Sequence, residues 1–189
     1  LASVAAIVEA DVTGIRNAYT DQTGPRTIIT FANAIAHAGS SASTFEFSQF
    51  GGPLPDGSFM ASIHQPSFAV GSRYILFLTN QPWSDTPIWA RLAFRIETAG
   101  SKAFPIGPDG TAVLSFGVEG VHFGTTMLLT SLAVDPGRPS AAPALAAGAL
   151  NSPDAANALP KADFVSKAVV AANAVGAPLG ATVPLTPTF

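Results

Sequence analysis

Along most of the chain, apolar residues recur at every second position. They come in short runs that end at clusters of Gly, Pro, Asn, Asp and Ser. A period of two places one set of side chains on one face of an extended strand. No run with three- and four-residue spacing separates these segments, which disfavours a parallel α/β fold with crossover helices. Residues 3–12 show the pattern most clearly, with Val4, Ala6, Val8, Ala10 and Val12 on one face and Glu9 and Asp11 on the other. Residues 26–36, 44–50, 59–64, 89–97, 103–106, 111–116 and 121–134 read as further strands, the last with a bulge at Gly124. Residues 73–79 are continuously apolar apart from their ends and predict a central strand buried on both faces. In 89–97, Leu92, Phe94 and Ile96 share one face, and Arg91, Ala93 and Arg95 the exterior one. Residues 17–26, 51–57 and 81–87 read as loops, and Gly107 to Gly110 as a hairpin connection. The expected fold is mainly β, an antiparallel barrel or sandwich over residues 1–134.

From Asp135 the texture changes. Residues 135–160 are rich in Pro and Ala and read as a connector, with a short helix near 144–150. Residues 161–175 predict the one long helix, because Phe164, Val165, Ala168, Val169, Ala172 and Val175 recur at helical spacing. Pro160 precedes this helix and Gly176 follows it. The tail 180–189 returns to period two, and Pro184 and Pro187 confine it to a sheet edge or a partner's groove. Only Asp135, Arg138, Asp154, Lys161, Asp163 and Lys167 are charged from Gly120 onward. The charge deficit is therefore greatest in the segment least able to build its own core.

Over the whole chain only 11% of residues are charged and 48% are hydrophobic, with a mean hydropathy of +0.36. A typical domain carries about 25% charged residues. A net charge of -3 offers no basic stripe for phosphates, which argues against nucleic acid. No apolar run approaches the roughly 18 residues of a membrane helix. The chain has no cysteine, which removes disulfides, thiolate metal sites and thiol chemistry. It begins at Leu1, and its low Lys content and many small residues fit an exported, extracellular or cell-surface protein whose signal peptide has been removed.

The stretch Pro66-Ser67-Phe68-Ala69-Val70-Gly71-Ser72-Arg73-Tyr74-Ile75-Leu76-Phe77-Leu78 resembles a segment of small exported bacterial β-barrel domains of unknown function. Those domains have an oligonucleotide/oligosaccharide-binding-like topology. Residues 27–35, Gly51-Gly52, residues 91–97 and Asp109-Gly110 match the same layout, so the likeness covers residues 1–120. It implies a fold and an exported setting, and no catalytic residue.

Motifs for chemistry are scarce. His37, His64 and His122 lack metal-ligand spacing, no Gly-x-Ser-x-Gly elbow accompanies a serine, and Glu46 lacks a paired carboxylate. No enzyme, metal or cofactor is expected. Trp83 and Trp89, with Tyr19 and Phe50, could stack on a sugar or small ligand. The termini carry the leading expectation. Val4, Val8 and Val12 at one end, and Val183, Leu185 and Phe189 at the other, suit strand addition between copies of the chain. The reading is a non-catalytic extracellular structural or assembly protein, a filament or surface-layer subunit that self-associates into a homo-oligomer or polymer. The alternative is an exported small-ligand or glycan-binding module.

Overall fold

The computed structural model describes residues 1–60, 65–80, 88–129 and 145–180. The strands among them are β1 (Val4–Thr20), β2 (Gly24–Ala38), β3 (Phe45–Phe50), β4 (Gly52–Pro53), β5 (Phe59–Met60), β6 (Arg73–Asn80), β7 (Ile88–Ala99), β8 (Lys102–Ile106), β9 (Thr111–Gly117) and β10 (Gly120–Met127). A 3-10 turn at Ala149–Asn151, the single-turn helix α1 (Pro153–Asn157) and the long helix α2 (Lys161–Ala174) follow. Eight strands form one sheet in the order β10-β9-β8-β7-β6-β1-β2-β3, and β4 pairs with β5 alone. Every pairing is antiparallel. The fold is thus mainly β with a C-terminal helix, as the periodicity predicts. Among the described residues the ladder does not close into a barrel, although β3 comes back alongside β7.

That curl makes the first core. The inner faces of β1, β2, β3, β6 and β7 contribute Val8, Val12, Phe31, Phe47, Leu76 and Ala93, among others. Phe31 stacks on Phe45 and Phe47 at 4.9 and 5.2 Å between ring centroids. Phe68, from the loop before β6, sets its edge against Phe31 and Phe47 and meets Tyr74 at 5.0 Å. The Tyr74 hydroxyl accepts a hydrogen bond from the Ala69 amide at 3.1 Å, so the loop that carries the plug is tied to the strand it enters.

The second core lies on the opposite face and is closed by α2. Phe164 is fully buried among Phe77, Phe94 and Phe116, and Ala168, Ala171 and Ala172 let the helix backbone approach the sheet. Residues 145–158 cover the other face of β8 and β9, where Phe104, Ile106 and Ala112 meet Leu128, Ala149 and Ala155. The compositional boundary near 134 therefore does not separate two cores. The C-terminal helix completes the core of the sheet.

Three expectations change. The 17–26 loop shrinks to a turn, because β1 and β2 continue through it in register from Asn17↔Thr27 to Thr20↔Gly24. Glu9 is not on a solvent face: α2 covers that side, and β1 is buried from Val4 to Ala10. Arg95 is not exterior either, since its face is the inner one of the curl, opposite Tyr74.

Candidate functional site

Where the apolar surface under α2 ends, the same face of β1 and β6 turns polar. Ile7 gives way to Glu9 and Asp11 on β1, and Ile75 to Arg73 on β6, with Asp11 directly opposite Arg73. Glu9 is 1% exposed. Its Oε1 accepts from Arg73 Nε at 2.6 Å and from Lys161 Nζ at 2.8 Å, and its Oε2 lies 2.9 Å from His37 Nε2. Asp11 takes Arg73 Nη1 at 2.7 Å and the Asn33 amide at 2.9 Å. Four elements meet at one carboxylate: β1, β2, β6 and the first residue of α2.

Asn33 reaches this position through a bulge. Between Glu9↔Ile35 and Asp11↔Ala32, β2 carries one residue more than β1, and Asn33 adopts φ 53 there. Asparagine enters the left-handed region more readily than most residues. The bulge also shifts the alternation, so Ile35 is 51% exposed while Ala34 packs on the first core.

Burial opposes ionisation of Glu9, but the hydrogen bonds from Arg73, Lys161 and His37 outweigh it and hold the pKa down at about 2. Asp11 is lowered as well; slight burial is overridden by the Asn33 and Arg73 hydrogen bonds. A fully paired carboxylate is poorly suited to proton transfer near neutrality. This geometry instead suits a latch that fixes α2 on the sheet. Composition gave no hint of it, because its members are 152 positions apart at the extremes. The available signal was two acids alternating with apolar residues on β1, opposite the one arginine of a strand that is apolar from Tyr74 to Leu78.

A second, partly buried ion pair sits on the inner face of the curl. Arg95 Nη2 pairs with Glu97, while Arg95 Nε and Nη1 are buried with no hydrogen-bond partner among the described residues. Glu46 is engaged by Arg16 Nη2 at 3.0 Å and by the Thr30 hydroxyl at 2.6 Å. His122 is exposed on β10, and His64 lies outside the described residues. Among the described residues no three His, Asp or Glu side chains gather in a way that could hold a metal, and no helix is long and apolar enough to cross a membrane.

Among the described residues β10 is an outer strand of the sheet. Its far half is already occupied: Asp154 Oδ2 accepts from the Thr125 and Thr126 amides at 2.8 and 2.7 Å, in the bulge between Phe123 and Met127. Residues 120–123 form the remainder of that edge. Beside them, the tip of the β9–β10 hairpin and the flank of α2 enclose an apolar groove of about 220 Å³, lined by Phe116, Val118, Val170 and Ala171, with Lys167 at its rim. Val118 and Val170 are 60% and 65% exposed.

The residues expected to mediate assembly separate into two groups. Val4, Val8 and Val12 are buried in β1, which pairs with β2 on one side and β6 on the other. That strand is paired on both sides within its own sheet. Val183, Leu185 and Phe189 lie outside the described residues, as does Trp83. The backbone of Trp89 is in β7, opposite Thr79, and its side chain is outside what is described. Tyr19 and Phe50 are 42% and 39% exposed. Phe50 lies opposite Arg26, whose guanidinium covers its ring, and Tyr19 lies one position away opposite Pro25, so the two do not share a face.

No family model matches the chain, and neither a curated protein nor a solved structure does.

Proposed function

We propose that this chain is a non-catalytic extracellular structural or assembly protein, a filament or surface-layer subunit whose C-terminal segment joins a neighbouring copy by strand addition. One observation carries the reading: the Gly180 amide donates to the Ala5 carbonyl at 3.1 Å. The chain thus reaches residue 180 at an exposed position beside the start of β1, and nine uncharged residues, Ala181 to Phe189, follow. The low charge of the C-terminal third supports it, since few ions need desolvating on association. The resemblance to exported β-barrel domains supports the extracellular setting. The test is sedimentation velocity on the full chain and on a chain lacking residues 181–189. Assembly of the first and a folded monomer for the second are expected; an unchanged size distribution overturns the reading.

The second reading, an exported small-ligand or glycan-binding module, is favoured by Arg95, whose two buried donors, unpaired among the described residues, face the interior of the curl. A glycan array probed with the full chain tests it. Retention of every bound glycan by Arg95→Met and Trp83→Ala counts against it.

A further inference from the structure

We infer that the groove between α2 and the β9–β10 hairpin is the receptor for the 181–189 segment of a second copy of this chain. The inference rests on the assembly reading and names the surface that reading needs. Strand addition draws affinity from main-chain hydrogen bonds and specificity from pockets that take alternate side chains. Both elements adjoin here. Among the described residues, 120–123 are the part of the β10 edge that neither Asp154 nor another strand occupies. Val121 pairs with Phe116, so an added strand carries every second side chain on the face where Phe116 lines the groove.

The occupant follows from what the segment is. It starts from an exposed Gly180. Its nine residues span about 30 Å when extended. Val183 and Leu185 alternate, with no charge among them to conflict with the apolar lining or with Lys167. Pro184 and Pro187 each lack an amide donor, which an outermost strand tolerates and an inner one does not. The hairpin tip is apolar and exposed at Val118, as is the helix flank at Val170, so both sides of the groove offer aliphatic side chains to an incoming segment.

The experiment compares four full-length or near-full-length proteins by sedimentation velocity: the natural chain, Val170→Asp, Val118→Asp, and the chain lacking residues 181–189. Both substituted positions are exposed, so thermal midpoints within a few degrees of the natural chain serve as the folding control. Assembly of the natural chain with monomers for the other three is the expected result. A synthetic peptide of residues 181–189 then binds the truncated chain, and its affinity falls at least tenfold against the truncated Val170→Asp protein. If truncation gives a monomer while both groove variants assemble, the groove is overturned and the assembly reading stands. If the groove variants are monomeric and the truncated chain still assembles, the segment is overturned as the occupant. A monomeric natural chain overturns both, including the case in which the segment occupies its own groove.

Discussion

Lys161 Nζ donates to Glu9 Oε1 at 2.8 Å and so joins the first residue of the long helix to the first strand, 152 positions away. The same oxygen takes Arg73, and His37 holds the other. The side chains of Arg73 and Lys161 are 27% and 34% exposed, against 2% for Glu9. The cations can therefore rehydrate when the anion is lost, whereas the anion cannot when they are. Arg73→Met, which strips both Glu9 and Asp11, is expected to cost about 3–5 kcal/mol. Glu9→Gln is expected to cost about 3 kcal/mol, and Lys161→Met, which leaves Glu9 two partners, about 1–2 kcal/mol. Urea unfolding checks the order, and an equal cost for all three would contradict it.

The same carboxylate sets an acid dependence. Its pKa falls from 4.5 to about 2 on folding. A depressed carboxylate stabilises the fold fully above the unfolded pKa and loses that contribution as pH drops toward the folded one. Here the window is pH 4.5 down to 2, and the loss is about 3 kcal/mol from Glu9. Asp11 is shifted in the same direction and adds to it. Unfolding free energies measured from pH 7 to pH 2 should be flat with respect to this group above pH 5 and should fall below it. Glu9→Gln should flatten the fall; an undiminished slope in that variant would place the acid sensitivity elsewhere.

Which features could be read in advance follows from how locally each is encoded. Alternation in β1 and the continuous apolar run in β6 are local, and both strands form there, as does the helix at Lys161–Ala174, although β1 runs on to Thr20, beyond where its alternation ends. The Gly124 bulge was likewise visible as a glycine in an apolar strand. The latch was not legible because it depends on which face α2 covers. A strand alternating Val and Glu looks half-solvated until a helix arrives on the Glu side. The phase change at Asn33 was hidden for a similar reason: it arises from a two-against-three count between strands, which no single strand records.

Phe164 shows that the helix belongs to the sheet. Its ring lies 4.9 Å from both Phe94 and Phe116, and 6.2 Å from Phe77. Phe164→Ala is expected to cost about 3–5 kcal/mol by cavity formation. Phe164→Leu, which keeps most of the volume, should cost less than Phe164→Ala by about half. A chain ending at residue 134 leaves Phe94 and Phe116 uncovered and is expected to bind a hydrophobic dye and to lack a cooperative thermal transition. A sharp transition in that fragment would show that the sheet folds without α2.

Two glycines with nearly the same backbone separate conformational strain from steric contact. Gly39 has φ 74 and Gly71 has φ 82. A Cβ at Gly71 meets nothing within 4 Å, whereas one at Gly39 falls 2.5 Å from the Ala5 carbonyl oxygen and 2.9 Å from Ala6 Cβ. Gly71→Ala is therefore expected to cost only the left-handed penalty, about 1–2 kcal/mol. Gly39→Ala carries that penalty and must also push the start of β1 aside, so it should cost more, about 3 kcal/mol or above. The Ala5 carbonyl is also the acceptor for the Gly180 amide. Displacing it in Gly39→Ala should raise amide exchange at Gly180 while Gly71→Ala leaves that exchange unchanged. Equal costs for the two substitutions, or unchanged protection at Gly180 in both, would show that β1 yields at Ala5 without disturbing the hydrogen bond from which the C-terminal segment departs.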